Sequence, residues 1–337
     1  MAFGRIARKL AVLSVGALVV GGHFAWTTAA RADDEVKVRF SWKLKGEYAP
    51  LYLAQEDGFF KAQHVAVRMG EGAGAPAALG ALLQGQEDVV ILPGIFAISA
   101  IQKGMPIKLI AIYHAKTPVV IISHPDNPVL KPKEMEGKSI VTSVGETGTS
   151  YLSTFAAQNG VDFDKIKKVQ VDAQIRVNYF LQNKVDMVSV YRTNDLPSVE
   201  EKTGIKYPIL DMAEYGLAIP GLAAVSSDAI IAKKGDALKR FLIAFDQGID
   251  ATRKDPAAAS KALLKAWNNG PSLSVVEAQV KATVDAIQPV SGHPAGWMTA
   301  LQIKSSLDLL KTDEDIGTPK PAETFFTNDL LPAKSGS

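Results

Sequence analysis

Leu83-Gln84-Gly85-Gln86-Glu87-Asp88-Val89-Val90 is echoed 98 residues later by Leu181-Gln182-Asn183-Lys184-Val185-Asp186-Met187-Val188. In both places a segment of helical period ends at Gly or Asn, the residues that most readily take a left-handed helix cap, and a β-branched strand begins. Two helix-to-strand turns can resemble each other by chance, but two related α/β halves account for the echo better. Outward from the first copy, short β-branched runs (VKVRFSW, VAVRM, DVVIL, IKLIAIY) alternate with helix-like segments (YAPLYLAQEDGFF, APAALGALLQG, IFAISAIQKG). The alternation resumes around the second copy with PVVIISH, SIVTSV, TSYLSTFAAQNG, KKVQVD, IRVNYFLQNK and DMVSVY. This is the βαβ pattern of mostly parallel sheets flanked by helices. After about residue 215 the chain passes through GLAAVSSD into helical segments expected over 228–253, 256–267, 273–287 and 295–310.

The N-terminus reads as an export signal. Arg5, Arg8 and Lys9 precede an apolar run from Leu10 to about Gly22, and Ala30-Arg31-Ala32 fits the small-x-small cleavage pattern. Residues 1–32 are therefore expected to be a signal peptide cut after Ala32. No later run reaches the roughly 18 apolar residues of a membrane-spanning helix. Cleavage removes four basic residues and no acidic one, so 37 and 35 become 33 and 35 and the formal charge moves from +2 to −2. A near-neutral chain without a basic block is a poor partner for nucleic acid. The chain has no cysteine, so neither disulfides nor a lipidated cysteine at the cleavage site is available, and a freely diffusing periplasmic monomer is expected.

Two loops follow strands and precede helices: Gly70-Glu71-Gly72-Ala73-Gly74-Ala75-Pro76 in the first half and Ser143-Val144-Gly145-Glu146-Thr147-Gly148-Thr149-Ser150 in the second. Glycines let backbone approach a ligand, and the hydroxyls and free N–H groups of a helix start suit an anion or a strong acceptor. A plain helix cap explains either loop alone; one in each half favours a binding role. The second loop lacks the spacing and lysine of a Walker A motif. Gly72-Ala73-Gly74-Ala75-Pro76-Ala77 matches G-x-G-x-x-A, but the next strand ends in Leu92-Pro93-Gly94 with no acid for a ribose. The five histidines form no H-x-x-x-H pair, there is no thiol, and no G-x-S-x-G elbow occurs. The residues thus describe a binder with no cofactor or metal expected.

In open α/β sheets ligands lie beyond the carboxyl ends of the strands. Aromatic residues recur there: Trp42, Tyr48, Tyr113, Tyr151 and Tyr191. Together they suggest a flat or partly apolar ligand, although each alone is more commonly a packing residue. Arg192 could pair with a carboxylate or sulfonate. Glu47, Glu71 and Glu146 would repel an anion and could accept from ring N–H or amino groups.

The stretches W-K-L-K-G-E-Y-A-P-L-Y-L-A-Q-E-D-G-F-F from Trp42, LLQGQEDVVILPG, IQKGMPIKLIAIY, EMEGKSIV and FFTNDLLP occur in that order along most of the chain. They resemble the periplasmic binding proteins of the no-message-in-thiamine family, kin to the sulfonate, taurine and nitrate binding components of ABC importers. The resemblance implies a two-lobed type II periplasmic binding protein fold with a ligand cleft between lobes, a small-molecule ligand and an inner-membrane permease as partner. It implies lobe 1 over residues 33–117 and 216–337, lobe 2 over 118–215, and crossings near 114–118 and 215–221. It maps ligand contacts to Trp42, Gly74, Ala75, Gly94, Ile95, Thr147, Thr149, Ser150 and Tyr191; the residues themselves add Glu47, Tyr48 and Arg192. Tyr48 stands where the family often has histidine, which puts a pyrimidine ligand in doubt. The family also resembles a fungal enzyme making the thiamine pyrimidine, but that enzyme carries a cysteine-rich motif which this chain lacks.

Overall fold

The computed structural model describes residues 33–313 and 315–333; the expected signal peptide lies outside them. The first lobe begins with β1 (Asp34–Phe40), α1 (Ala49–Glu56), α2 (Phe59–Ala62), β2 (Val65–Gly70), α3 (Ala75–Leu83), β3 (Val89–Pro93), α4 (Gly94–Gln102) and β4 (Ile107–Ile112). The chain then crosses and builds β5 (Val119–Ser123), β6 (Ser139–Thr142), α5 (Thr147–Ser150), α6 (Leu152–Gln158), β7 (Lys167–Gln170), α7 (Arg176–Leu181), β8 (Met187–Tyr191), α8 (Asp195–Thr203) and β9 (Ile209–Asp211). It returns through β10 (Leu222–Ser227) to α9 (Asp228–Lys254), α10 (Pro256–Ala266), α11 (Leu273–Ala286) and α12 (Ala300–Asp313).

The strands form two five-stranded sheets of matching order, β2-β1-β3-β10-β4 and β7-β6-β8-β5-β9. This is the two-lobed periplasmic binding protein fold. The sheets are mixed rather than mostly parallel: the pairings of β10 with β3 and β4, and of β5 with β8 and β9, are antiparallel. In each sheet the antiparallel strand is one that the chain enters on crossing between lobes. β5 and β10 are buried along their whole length, as befits strands covered on both faces.

The echoed sequence performs the same task twice. Gly85 and Asn183 take φ of 69° and 56° just past the ends of α3 and α7. Asp88 then accepts the Lys37 amide at 2.9 Å, and Asp186 accepts that of Ser139 at 2.7 Å. Each aspartate's own amide donates back, to the Lys37 and Ser139 carbonyls. A carboxylate locking β3 to β1, and β8 to β6, is the same device in both lobes.

The C-terminal helices start where short polar residues cap them: Ser227, Asp255 and Ser272 each accept an amide of the first turn. The last helix begins at Ala300 rather than Ala295, because Pro294 and Gly296, at φ 88°, hold the intervening chain in turns. One apolar cluster belongs to one lobe around Phe40, Phe241 and Phe245, and another to the other around Phe180 and Val188. A third is shared: Leu92 and Ile98 of one lobe join Phe155 and Met187 of the other, with Ile303 and Leu307 of α12 between.

On α9, burial and then the neighbouring Asp250 carboxylate push the Asp246 carboxyl up to about 6. The folded protein therefore binds this proton more tightly than the unfolded chain, and stability falls as pH rises from about 4 to about 6. Asp246→Asn is expected to stabilise by about 1 kcal/mol at pH 7.5, after allowance for partial solvent screening, and by nothing at pH 4. Urea unfolding at the two pH values checks this; an equal effect at both would show that ionisation is not the cause.

Candidate functional site

A cavity of about 80 Å³ opens between the lobes. Each parallel strand feeds it from its carboxyl end. Ser41, Trp42 and Lys45 follow β1, Gly74 and Ala75 follow β2, and Pro93 ends β3 with Phe96 after it. From the other lobe Gly145, Glu146 and Thr147 follow β6, Ala173 and Arg176 follow β7, and Tyr191 ends β8 with Asn194 and Asp195 after it.

Charge in the cleft is arranged in pairs. Lys45 Nζ lies 2.8 Å from the Glu47 carboxylate, 4.8 Å from the Tyr191 ring centroid and 5.5 Å from that of Tyr48. Burial works to lower the Lys45 pKa, but Glu47 and then the tyrosines overcome it and hold the amine protonated. For Glu47 burial is likewise outweighed, chiefly by Lys45, and its carboxyl is lowered. Glu47 also accepts the Thr193 hydroxyl across the lobes at 2.7 Å. Arg176 bonds Asp195 at 2.8 Å and the Ala173 carbonyl at 2.9 Å, and Asp195 accepts the Tyr191 amide at 3.0 Å. Burial opposes the Arg176 charge, and Asp195 more than restores it.

Glu146 alters the meaning of the glycine- and hydroxyl-rich loop. Its Oε1 accepts the Gly148 amide and the Ser189 hydroxyl, both at 3.0 Å, and its Oε2 accepts the amide and hydroxyl of Thr149, both at 2.9 Å. The start of α5, expected to offer free N–H groups to an anion, is thus occupied by the chain's own carboxylate. Gly148 is required there, because a Cβ would stand 1.9 Å from Ser189 Oγ.

Among the residues expected at the site, Trp42, Gly74, Ala75, Thr147 and Tyr191 line the cavity together, with the Thr147 and Tyr191 hydroxyls bonded at 2.7 Å. The others do not line it. Tyr48 is stacked on Phe40 with centroids 3.9 Å apart, turned into the core by the apolar surface beneath it. Ile95 is fully buried, and Gly94 spends its amide on the Gly221 carbonyl. Thr149 bonds Glu146, and Ser150 Oγ bonds the Glu146 carbonyl at 2.7 Å, so both serve the cap. Glu47 stands behind Lys45. Arg192 points outward to Asp211, at 2.8 Å. Tyr113 packs edge-on against Phe245.

Lys45, Phe96, Arg176, Asn194 and Asp195 were not expected. Asn194-Asp195 ahead of α8 carried a readable signal, since such residues start helices; Lys45 and Arg176 carried none. Val144, 85% exposed, stands beside Gly145 at the rim.

Gln279 ties the two walls together. It accepts the Gly46 amide at 3.0 Å and donates to the Asn194 carbonyl at 2.8 Å and Ser198 Oγ at 3.1 Å. A Cβ on residue 46 would lie 2.3 Å from that of Gln279, so only glycine permits this approach.

The sequence model of the family described as NMT1/THI5 like matches residues 45–259. No curated protein sequence matches the chain. Solved structures of similar fold include the periplasmic aliphatic sulphonate binding protein SsuA from Escherichia coli, at 14% identity and a TM-score of 0.69, over 89% of this chain and 99% of that one. The alkanesulfonate-binding protein SsuA from Xanthomonas axonopodis pv. citri, bound to MOPS, gives 17% identity and 0.67 over 88% and 99%. The periplasmic nitrate-binding protein NrtA from Synechocystis PCC 6803 gives 13% identity and 0.68 over 89% and 88%. At these identities the likeness is one of fold.

Proposed function

The chain belongs to the NMT1/THI5-like family, and from that premise we propose that it is the periplasmic solute-binding component of an ABC importer. It captures a small aromatic or heterocyclic compound, or a small organic acid, and delivers it to a membrane permease. The observation that carries this reading is a cleft walled by both lobes at the carboxyl ends of six parallel strands. Hinge closure is the mechanism: ligand touching both walls favours the state in which Glu47 meets Thr193, and opening parts them. An enzymatic role finds less support, because the chain has no cysteine and so lacks the cysteine-rich motif of the related pyrimidine-making enzyme.

A thermal-shift screen across pyrimidines, flavin-like heterocycles, aromatic carboxylates and alkyl sulfonates tests the reading. A ligand at 100 times its dissociation constant should stabilise by about 2.7 kcal/mol; no shift with any member sinks the proposal. With a ligand in hand the two loop threonines separate. Thr147→Ala is expected to weaken binding by about 1–3 kcal/mol, because Thr147 lines the cleft and its hydroxyl bonds that of Tyr191, another lining residue. Thr149→Ala is expected to cost about 1 kcal/mol of stability and leave affinity alone, because its hydroxyl serves the cap. Calorimetric titration beside melting curves checks both, and the reverse pattern would exchange their roles.

A further inference from the structure

The Asn194 side chain has a defined orientation. Glu47 is an acceptor, so the single hydroxyl proton of Thr193 goes to it, at 2.7 Å. The Thr193 oxygen then accepts from Asn194 Nδ2, at 3.2 Å. The carboxamide is thereby turned so that Oδ1, itself closed to solvent in this closed arrangement, has no partner among the described residues, while Asn194, only 5% exposed, is one of the residues lining the cleft. A buried carbonyl oxygen without a donor is costly, and a ligand N–H would satisfy it.

The charges around it favour the same partner. Lys45 and Arg176 are already matched by Glu47 and Asp195. Glu146 has its four lone-pair sites filled by four donors, so it contributes negative potential without a free acceptor. The cleft and its backing therefore hold formally two cations against three carboxylates.

The geometry points to Asn194 Oδ1 as a ligand acceptor, in a site that takes an uncharged or cationic solute bearing an N–H donor and refuses anions. This rests on the solute-binding reading above. It narrows that reading's ligand classes by charge, because the position where an anion would sit on α5 is occupied by Glu146.

Benzamidine, benzamide and benzoate test it, being nearly isosteric and differing in charge and donor capacity. Titration calorimetry with the full chain should find benzamidine and benzamide each at least tenfold tighter than benzoate. Asn194→Leu should erase most of that preference while the protein stays folded, its melting temperature changing little because the loss of the unpartnered Oδ1 offsets the loss of the Nδ2 bond to Thr193. Asn194→Asp should tighten benzamidine further. Benzoate binding as tightly as benzamide, or a preference unchanged in Asn194→Leu, overturns the proposal. If other solutes in the screen bind while neither donor probe does, this inference falls and the solute-binding reading stands; binding by nothing sinks both.

Discussion

Replacing Glu47 by alanine is expected to cost about 3–5 kcal/mol of folding stability, since removing one member of a buried ion pair strands the other. Glu47 is 3% exposed and is the carboxylate bonded to Lys45. The loss should be confined to a pH window. Glu47 is lowered on folding, so its contribution is present above its unfolded value of about 4.3 and fades as pH falls through that range. Lys45 is raised, so its contribution is present below about 10.4 and fades as pH rises past it. His114, nearby, is lowered chiefly by burial, so it takes stability away as pH falls below its unfolded value of about 6.5, and the more so once Glu47, which raises it, is removed. Denaturant unfolding of wild type and variant from pH 3 to 10 measures the difference, and the double variant Glu47→Leu, Lys45→Met should recover most of it. A loss under about 1 kcal/mol at pH 7 would mean that water reaches the ammonium and that the pair is a surface pair in energetic terms.

Gln279→Ala is expected to cost roughly 1–3 kcal/mol, because it leaves the Gly46 amide buried without a partner and takes one of two donors from the Asn194 carbonyl, which keeps the Ser198 hydroxyl. Its signature lies in where protection is lost. Amide exchange should quicken at Gly46 and along 193–198, on both sides of the cleft, while the β1–β3 core keeps its protection. Uniform acceleration over the chain would instead indicate a general loss of stability with no special role in joining the lobes.

Much of the architecture could be read from local pattern. Strand runs alternate with helical segments, and the cap residues Ser227, Asp255 and Ser272 stand where helices begin. Trp42, Gly74, Thr147 and Tyr191, each at or beyond the carboxyl end of a parallel strand, were legible as neighbours and line one cavity. What escaped depends on partners far apart in sequence. Glu47 and Thr193 are 146 residues apart, and Gly46 and Gln279 are 233 apart, so no spacing rule connects them. Tyr48 and Tyr113 look like cleft aromatics by position, yet Phe40 and Phe245 draw them into the core. Glu146 reads as a charge in a ligand loop, and only the folded backbone shows that it caps its own helix. The antiparallel strands were hidden because a buried run such as LAAVSS has no alternation to declare its direction.

The position of β10 also dictates the order in which the molecule can be assembled. Among the described residues β4 pairs with one strand, β10, and with the later chain through a single bridge from Leu109 to Phe326, and β10 lies between β4 and β3. As the chain emerges N-terminus first, the sheet begun at Asp34 stays split until residues 222–227 arrive. The sheet of residues 119–211 is uninterrupted in sequence and can close before then. The lobe begun second is thus the first that can be finished, and β4 lacks its strand partner until about a hundred further residues have emerged, its edge open to wrong partners.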